Sequence, residues 1–355
     1  MEFLRARQQG TIELLSSNDR VIKLWKTELK QKVARTACLV DGSNLWFPTR
    51  EVVGEGFQAV EKNEYRGCHS YNINSLSLSP DGECFLSADD LRINMWSLED
   101  SVEAYNVVDL KPTLIEELSE VITYVEYHPV RSDIFVFSSS KGYMRLCDLR
   151  MNSMSERCST TFQKEEDPSR RHFFTDIINS VSRARFSPVD PNYLFSRDYV
   201  SVHVWDVRFN RRPCRSFNVT DYLEKRLCEV YESETIFDKF DLAISPDSSR
   251  LLTGAYDSSA HVIDLNAETN CAIDVSFNEK RGHRVGLTRG YRGRRLTPVN
   301  ERQPDMSQKV ALCAWHPREN TIAVAKHNAL FVYTERKDEQ NSQATSAGSA
   351  SPVVK

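Results

Sequence analysis

Long apolar runs are missing from this sequence. None reaches the roughly 18 residues needed to cross a bilayer as a helix, and Met1 to Gly10 carries two arginines without the apolar stretch of a secretory signal. Paired cysteines are missing as well. The nine cysteines are scattered and include no C-x-x-C pair, so no two thiolates sit close enough in sequence to share a zinc ion. Their odd number and wide spacing also argue against a disulfide framework. They read as reduced thiols of a cytoplasmic protein, with a nuclear location also open. An excess of one charge is absent too. With 46 basic and 50 acidic residues the net charge is −4, which gives no long-range attraction to nucleic acid. Catalytic signatures are lacking: Gly54-Glu-Gly56 has no third glycine, and no G-x-S-x-G or H-E-x-x-H pattern occurs. Without a nucleophile, a base and an orienting partner, an enzyme is excluded as the leading reading, and no cofactor or metal is expected.

What is present is repetition. Six segments share one grammar: an alternating strand, a Ser-Pro or His-Pro turn, a short apolar strand, a small-residue turn, and a strand closing on an aromatic or apolar residue. The fullest copy runs Ser75-Leu-Ser-Leu-Ser-Pro-Asp-Gly-Glu-Cys-Phe-Leu-Ser-Ala-Asp-Asp-Leu-Arg-Ile-Asn-Met-Trp96. Others span Tyr124 to Asp148, Ala184 to Asp206, Leu242 to Asp264 and Leu312 to Tyr333, and a half copy runs from Ile12 to Trp25. This pattern predicts an all-β WD-repeat β-propeller over 12–334. Trp25, Trp96, Trp205 and Trp315 are expected as packing between blades. Asp19, Asp89 and Asp198 are expected in tight turns, where Asp tolerates unusual backbone angles. His69, His128 and His316 read as packed hydrogen-bonding groups of the turns and not as ligands. Residues 335–355, rich in Ser, Ala, Gln and Glu, are expected as a disordered tail.

The copies are spaced unevenly, 71 residues from Trp25 to Trp96 and 52 from there to Asp148, against a usual period of roughly 40–45. The excess falls in insertions, where binding residues tend to lie. In the insertion over 98–122, Leu114, Leu118, Val121 and Ile122 recur at helical spacing around Glu116-Glu117-Leu-Ser-Glu120. Either a surface helix with a solvated acidic side or an acidic and apolar groove lip fits that pattern. Phe173-Phe174, read as lying before a strand, cannot both face inward on a period-2 element, so one is expected at the surface. Leu223, Leu227 and Val230-Tyr231 predict a helix packed on the propeller. The basic stretch 280–303 reads as a solvated loop.

The motifs Tyr71-Asn-Ile-Asn-Ser75, Ser87-Ala-Asp-Asp-Leu-Arg-Ile-Asn94, Glu117-Leu-Ser-Glu-Val-Ile-Thr123, Ser138-Ser-Ser-Lys-Gly142, Ile236-Phe-Asp-Lys-Phe240 and Ala314-Trp-His-Pro-Arg-Glu-Asn320 narrow the reading further. Across about 12–334 the chain resembles the WD-repeat B-type (55 kDa) regulatory subunits of protein phosphatase 2A. The resemblance implies a seven-bladed propeller that joins a scaffold subunit and a catalytic subunit and recruits phosphoprotein substrates with basic or amphipathic segments. It implies substrate binding by Asp90, Leu91, Ile115, Glu116, Leu118, Val121, Phe173, Phe174, Tyr231, Phe237 and Lys239. Asp90 and Glu116 would pair with substrate Arg or Lys, while Leu118, Val121 and the Phe pair would take its apolar side. It further implies a scaffold-gripping arm inserted at 27–65, anchored by Leu45, Trp46, Phe47, Val52 and Val53.

Against the family pattern the chain lacks the first blade and half of the second, leaving about five and a half. A propeller closes by pairing its first and last strands, and open edges invite aggregation, so the expectation is an incomplete gene and not a partner that fills the gap. The alternative function is a general WD-repeat scaffold outside phosphatase complexes, which would have no need of the acidic groove at 98–122.

Overall fold

The repeat grammar becomes a series of antiparallel sheets. The computed structural model describes residues 2–3, 12–39, 46–112, 114–151, 159–165, 171–275 and 305–335; the basic stretch 280–303 and the tail from 336 lie outside them. The chain divides into two compact units, Met1–Lys239 and Phe240–Lys355.

The first unit holds four sheets of four strands. The first is built from β1 (Glu2–Phe3), β2 (Ile12–Asn18), β3 (Val21–Leu39) and β4 (Trp46–Tyr65), in that order. The second contains β5 (Ser75–Leu78), β6 (Cys84–Ala88), β7 (Arg92–Ser97) and β8 (Ala104–Asp109). The third contains β9 (Ile122–Tyr127), β10 (Ile134–Ser139), β11 (Tyr143–Asp148) and β12 (Ser159–Gln163). The fourth contains β13 (Arg183–Phe186), β14 (Tyr193–Arg197), β15 (Ser201–Asp206) and β16 (Arg215–Asn218). In the second unit, β17 (Leu242–Ile244), β18 (Arg250–Gly254), β19 (Ser259–Asp264) and β20 (Thr269–Asp274) form a four-stranded sheet. A three-stranded sheet follows, of β21 (Leu312–Trp315), β22 (Thr321–Lys326) and β23 (Ala329–Thr334). These are the blades of the WD-repeat propeller class that the sequence predicts.

The half copy at Ile12 behaves differently from its sequence pattern. β3 and β4 pair without interruption from Ile22↔Tyr65 to Leu39↔Trp46, with two bulges. One end of this hairpin therefore serves as the outer strand of the blade, and the rest continues beyond it. Together with Glu2–Phe3 it completes a four-stranded sheet.

The core sits between successive sheets. Leu15, Ile22, Leu24, Tyr65, Leu76, Phe85 and Trp96 join the first sheet to the second. Ile93, Val108, Val125, Phe135 and Phe137 join the second to the third, and Val136, Met144, Phe162, Leu194 and Trp205 join the third to the fourth. Alternation is lost where a strand is covered on both faces: all six residues of β15, Ser-Val-His-Val-Trp-Asp, are buried. Trp96 and Trp205 are fully buried as expected, whereas Trp25 and Trp315 are only partly so.

A hydrogen-bond pattern repeats with the blades. The indole Nε1 donates to a serine Oγ nine residues earlier in three of them: Trp25 to Ser16 at 2.8 Å, Trp96 to Ser87 at 2.8 Å, and Trp205 to Ser196 at 2.9 Å. The His-Pro turns are capped by their histidines. His128 Nδ1 accepts from the Val130 and Arg131 amides at 3.1 and 3.0 Å, and His316 Nδ1 from Arg318 and Glu319 at 3.3 and 3.0 Å. Of the three turn acids, only Asp19 takes a left-handed backbone, at φ +52°. Asp89 and Asp198 act through their carboxylates instead.

Candidate interaction surface

The turn between β6 and β7 carries Asp89-Asp90-Leu91, and its shape is set from beneath. Asp89 Oδ1 accepts from the Leu91 and Arg92 amides at 2.8 and 2.7 Å, and Oδ2 lies 2.9 Å from His69 Nδ1. His69 Nε2 is 2.7 Å from Ser87 Oγ, the acceptor of the Trp96 indole. Burial pushes the Asp89 carboxyl pKa up, but the bonds from His69 and the two amides outweigh it and hold the pKa below the ordinary value. An ionised Asp89 accepts from Nδ1–H of His69, which leaves Nε2 to accept from Ser87. A directed chain, Trp96 to Ser87 to His69 to Asp89, thus locks the turn that presents Asp90.

Asp90 is half-buried. Asn74 Nδ2 donates to its Oδ1 at 2.7 Å, and its carbonyl accepts the Ile122 amide at 2.8 Å. The loop before β9 arrives beside it. Val121 N donates to Ser140 Oγ at 3.0 Å and its carbonyl accepts the Ser140 amide at 2.9 Å. Glu120 accepts from Ser139 Oγ at 2.8 Å and from the Tyr143 hydroxyl. These bonds draw 120–122 into an extended course, so the helix suggested by Leu114, Leu118, Val121 and Ile122 does not form. Only Ile115–Glu117 makes a 3₁₀ turn, and Ile122 is fully buried as the first residue of β9. Glu116 is exposed on that turn, Leu118 is 38% exposed, and Val121 is half-buried.

The loop between β12 and β13 contains the Phe pair. It precedes not a strand but a single helical turn, α1 (Thr175–Ile178), with Phe174 at its N-terminus. Phe173 is 72% exposed and Phe174 half-buried, so one of the two is at the surface, as the sequence indicates. The helix predicted after β16 is present as a 3₁₀ segment, Asp221–Arg226, running into α2 (Leu227–Glu232). Leu223, Leu227 and Val230 are buried, which leaves Tyr231 40% exposed on the outer side. Glu234, at φ +59°, reverses the chain into a 3₁₀ turn, Thr235–Phe237.

That reversal assembles an aromatic group. Tyr231 stands 5.7 Å from Phe173, 5.5 Å from Phe174 and 6.2 Å from Phe237, ring centre to ring centre, and the two phenylalanines are 5.1 Å apart. Phe237 is 58% exposed. Two residues on, Lys239 reaches the surface, yet the surrounding protein strips its ammonium of enough water to lower its pKa. Asp90 opposes that shift and Arg183 adds to it. The structure therefore brings Asp90, Val121 and Lys239 together, gathers Phe173, Phe174, Tyr231 and Phe237, and joins the two groups through Phe237–Lys239.

Other residues fall elsewhere. Leu91 is only 3% exposed; its side chain belongs to the blade interior and adds nothing to the surface. For Ile115 the backbone is described and the side chain is not. Trp46, Phe47, Val52 and Val53 lie on β4, but their side chains are outside the described set, and Leu45 is outside it entirely. Sequence reasoning missed Asn74, Ser140 and Tyr143, which orient the surface without forming it. Asn74 and Ser140 stand inside two of the family motifs, but nothing in a motif says which member points at a neighbouring blade.

Among the described residues no three His, Cys, Asp or Glu side chains are placed to hold a metal ion, and no helix is long and apolar enough to cross a membrane. A blade framework that presents exposed acidic and aromatic side chains on its insertions defines a protein-interaction module.

The WD-repeat family (WD domain, G-beta repeat) matches residues 62–97 and 237–264. The gamma isoform of the mouse serine/threonine-protein phosphatase 2A 55 kDa B-type regulatory subunit is 37% identical over 343 residues, covering 93% of this chain and 76% of that protein. The chain belongs to this family of 55 kDa regulatory subunits, and its role is regulatory and non-catalytic. A chain in the crystal structure of the mitotic checkpoint complex aligns with 71% of this chain and 56% of its own length, at 11% identity and a TM-score of 0.44.

Proposed function

We propose that the chain joins a scaffold subunit and a catalytic subunit of phosphatase 2A, and that the surface around Asp90, Lys239 and the Phe173–Tyr231–Phe237 group recruits phosphoprotein substrates through basic or amphipathic segments. The observation that carries the substrate reading is a fixed carboxylate, Asp90, near Lys239, which lies two residues along the chain from the exposed ring of Phe237. A basic amphipathic segment offers both a cation for Asp90 and an apolar side for the rings. Glu116 and Leu118 extend the same chemistry along the preceding loop. The long β3–β4 hairpin is the proposed scaffold contact, through Leu45, Trp46, Phe47, Val52 and Val53. A cytoplasmic site of action, with access to the nucleus, is part of this reading.

Co-purification of the full chain with phosphatase subunits tests the assembly; recovery of neither scaffold nor catalytic subunit would sink it. Asp90→Lys tests the surface. The substitution is expected to weaken capture of basic substrate segments about tenfold or more while the trimer still assembles, and unchanged substrate affinity would remove Asp90 from the site.

A further inference from the structure

Residues 280–303 carry eight of the chain's 46 basic residues against one acid, Glu301. Val285, Leu287, Tyr291, Leu296 and Val299 are interleaved with the cations. The remainder of the chain is therefore more acidic than the net charge of −4. Cations with apolar residues between them are the chemistry that the Asp90 surface suits, and this chain holds such a segment itself.

The residues flanking the segment fix where it starts and ends. Val275 donates its amide to the Ser258 carbonyl at 2.7 Å, and Ser258 donates its own amide to the Gln308 carbonyl at 2.7 Å. The Asp305 amide donates to the neighbouring carboxylate of Asp257. The chain thus leaves and returns at one turn, between β18 and β19, with the 29 residues 276–304 between. Three residues past Gln308, the Ala311 carbonyl accepts the Asp241 amide at 2.9 Å. Asp241 is two residues along the chain from Lys239 and four from Phe237. The segment is therefore tethered within a few residues of the surface. Half its length, extended at about 3.3–3.6 Å per residue, reaches roughly 50 Å from the tether. That leaves slack to cross Phe237 and Lys239 and to meet Asp90, whose charge is felt at Lys239.

We propose that residues 280–303 bind the Asp90–Phe237 surface of their own chain, as a tethered competitor of substrate segments. The arginines face Asp90 and the exposed Glu116 and Glu117, and the apolar residues face the Phe173–Tyr231–Phe237 rings. A tethered ligand acts at an effective concentration on the order of millimolar, so an intrinsic Kd of about 100 µM keeps the surface roughly nine-tenths occupied. An external ligand is then weakened about tenfold. This contact rests on the basic-segment reading of the surface and adds its regulation.

The test uses the full chain and a fluorescein-labelled peptide with the sequence of residues 280–303, followed by anisotropy at about 50 and about 300 mM salt. The quadruple variant Arg289→Gln/Arg292→Gln/Arg294→Gln/Arg295→Gln frees the surface. It should bind the peptide about tenfold more tightly than the parent at low salt, with a smaller gap at high salt. Adding Asp90→Lys or Phe173→Ala to it should weaken the peptide about tenfold. Equal affinity for parent and quadruple variant overturns the proposal, as does no binding to the quadruple variant, or binding that neither Asp90→Lys nor Phe173→Ala changes. A labelled DNA duplex that binds the parent and not the quadruple variant, with the peptide binding both equally, also overturns it, in favour of a nucleic-acid segment. A basic amphipathic phosphopeptide of unrelated sequence separates this proposal from the substrate reading. If it binds parent and quadruple variant equally through Asp90, only the intrachain contact fails. If it binds neither while the 280–303 peptide binds at Asp90, the intrachain contact stands and only the substrate reading fails.

Discussion

Ser87→Ala should damage this protein far more than the loss of one hydroxyl suggests. Ser87 Oγ stands between the Trp96 indole at 2.8 Å and His69 Nε2 at 2.7 Å, and all three side chains are buried. With alanine in its place, the indole N–H loses its partner where water does not reach, and His69 Nε2 keeps only Asn94 Nδ2 at 3.4 Å. A buried polar group left unsatisfied costs about 1–3 kcal/mol. One group fully and one partly orphaned give an expected loss of about 2–4 kcal/mol, a large share of a typical domain stability of about 5–15 kcal/mol. The assay is urea denaturation of the single variants Ser87→Ala and Trp96→Phe and of the double variant. Trp96→Phe removes the donor, so Ser87→Ala should cost about 1–2 kcal/mol less in that background, the coupling that a shared hydrogen bond produces. A loss under about 0.5 kcal/mol in the native background, or additive single effects, would refute the directed chain. The chain ends on Asp89, which shapes the turn holding Asp90, so Ser87→Ala should weaken the substrate capture proposed for Asp90 even at temperatures where the protein stays folded.

Gly254→Ala should disrupt the second unit. An added Cβ would lie 1.8 Å from the Val310 carbonyl oxygen, a backbone atom that cannot swing aside; a loss of at least about 3 kcal/mol, or no folded product, is expected on thermal melting. Acid should destabilise the first unit. Asp89 and Asp198 have folded-state pKa values below the ordinary range, because hydrogen bonds to the ionised carboxylates outweigh burial. Their contribution is therefore complete above an unfolded-state pKa of about 4 and is lost as the pH falls toward the lower folded values. Melting temperature against pH should drop below about pH 4, and Asp198→Asn should flatten part of that drop. Phe173→Ala removes a ring that is mostly exposed, so stability should change by less than about 0.5 kcal/mol, while binding of an amphipathic substrate segment falls about tenfold in a titration.

The blades were legible because a blade is a local object. Its strands follow one another in sequence, and the Ser-Pro and His-Pro turns, the small-residue turns and the closing tryptophans all fall within some two dozen residues. The helical segment over Asp221–Glu232 was legible because Leu223, Leu227 and Val230 fall at helical spacing within a few residues, on the face that the protein covers. What could not be read was any local preference that a neighbouring blade overrides. Leu114, Leu118, Val121 and Ile122 have helical spacing, but Ser140 and Asp90 offer the backbone at 121–122 hydrogen-bond partners in extended form. Burial of Ile122 in the core between two sheets then decides the matter. Leu91 misleads in the opposite sense. Its position beside Asp90 suggests the surface, and the turn aims it inward.

The arrangement separates two demands that conflict when one residue must meet both. Specific capture of a partner needs side chains held in place but left exposed, and exposed aromatic rings gain little from the fold that holds them. Here the positioning is delegated downward. Asp90 is carried on a turn fixed by Asp89, His69, Ser87 and Trp96, all buried. The Phe173–Tyr231–Phe237 group stands on Leu223, Leu227, Val230 and Ile236, also buried. Rings of Tyr231 and the phenylalanines brace one another at their edges, which restricts their rotation without covering their outward faces. The exposed residues are consequently free to change with the partner to be recognised, while the supports beneath them are not, because each support leaves an orphaned polar group or a cavity when replaced.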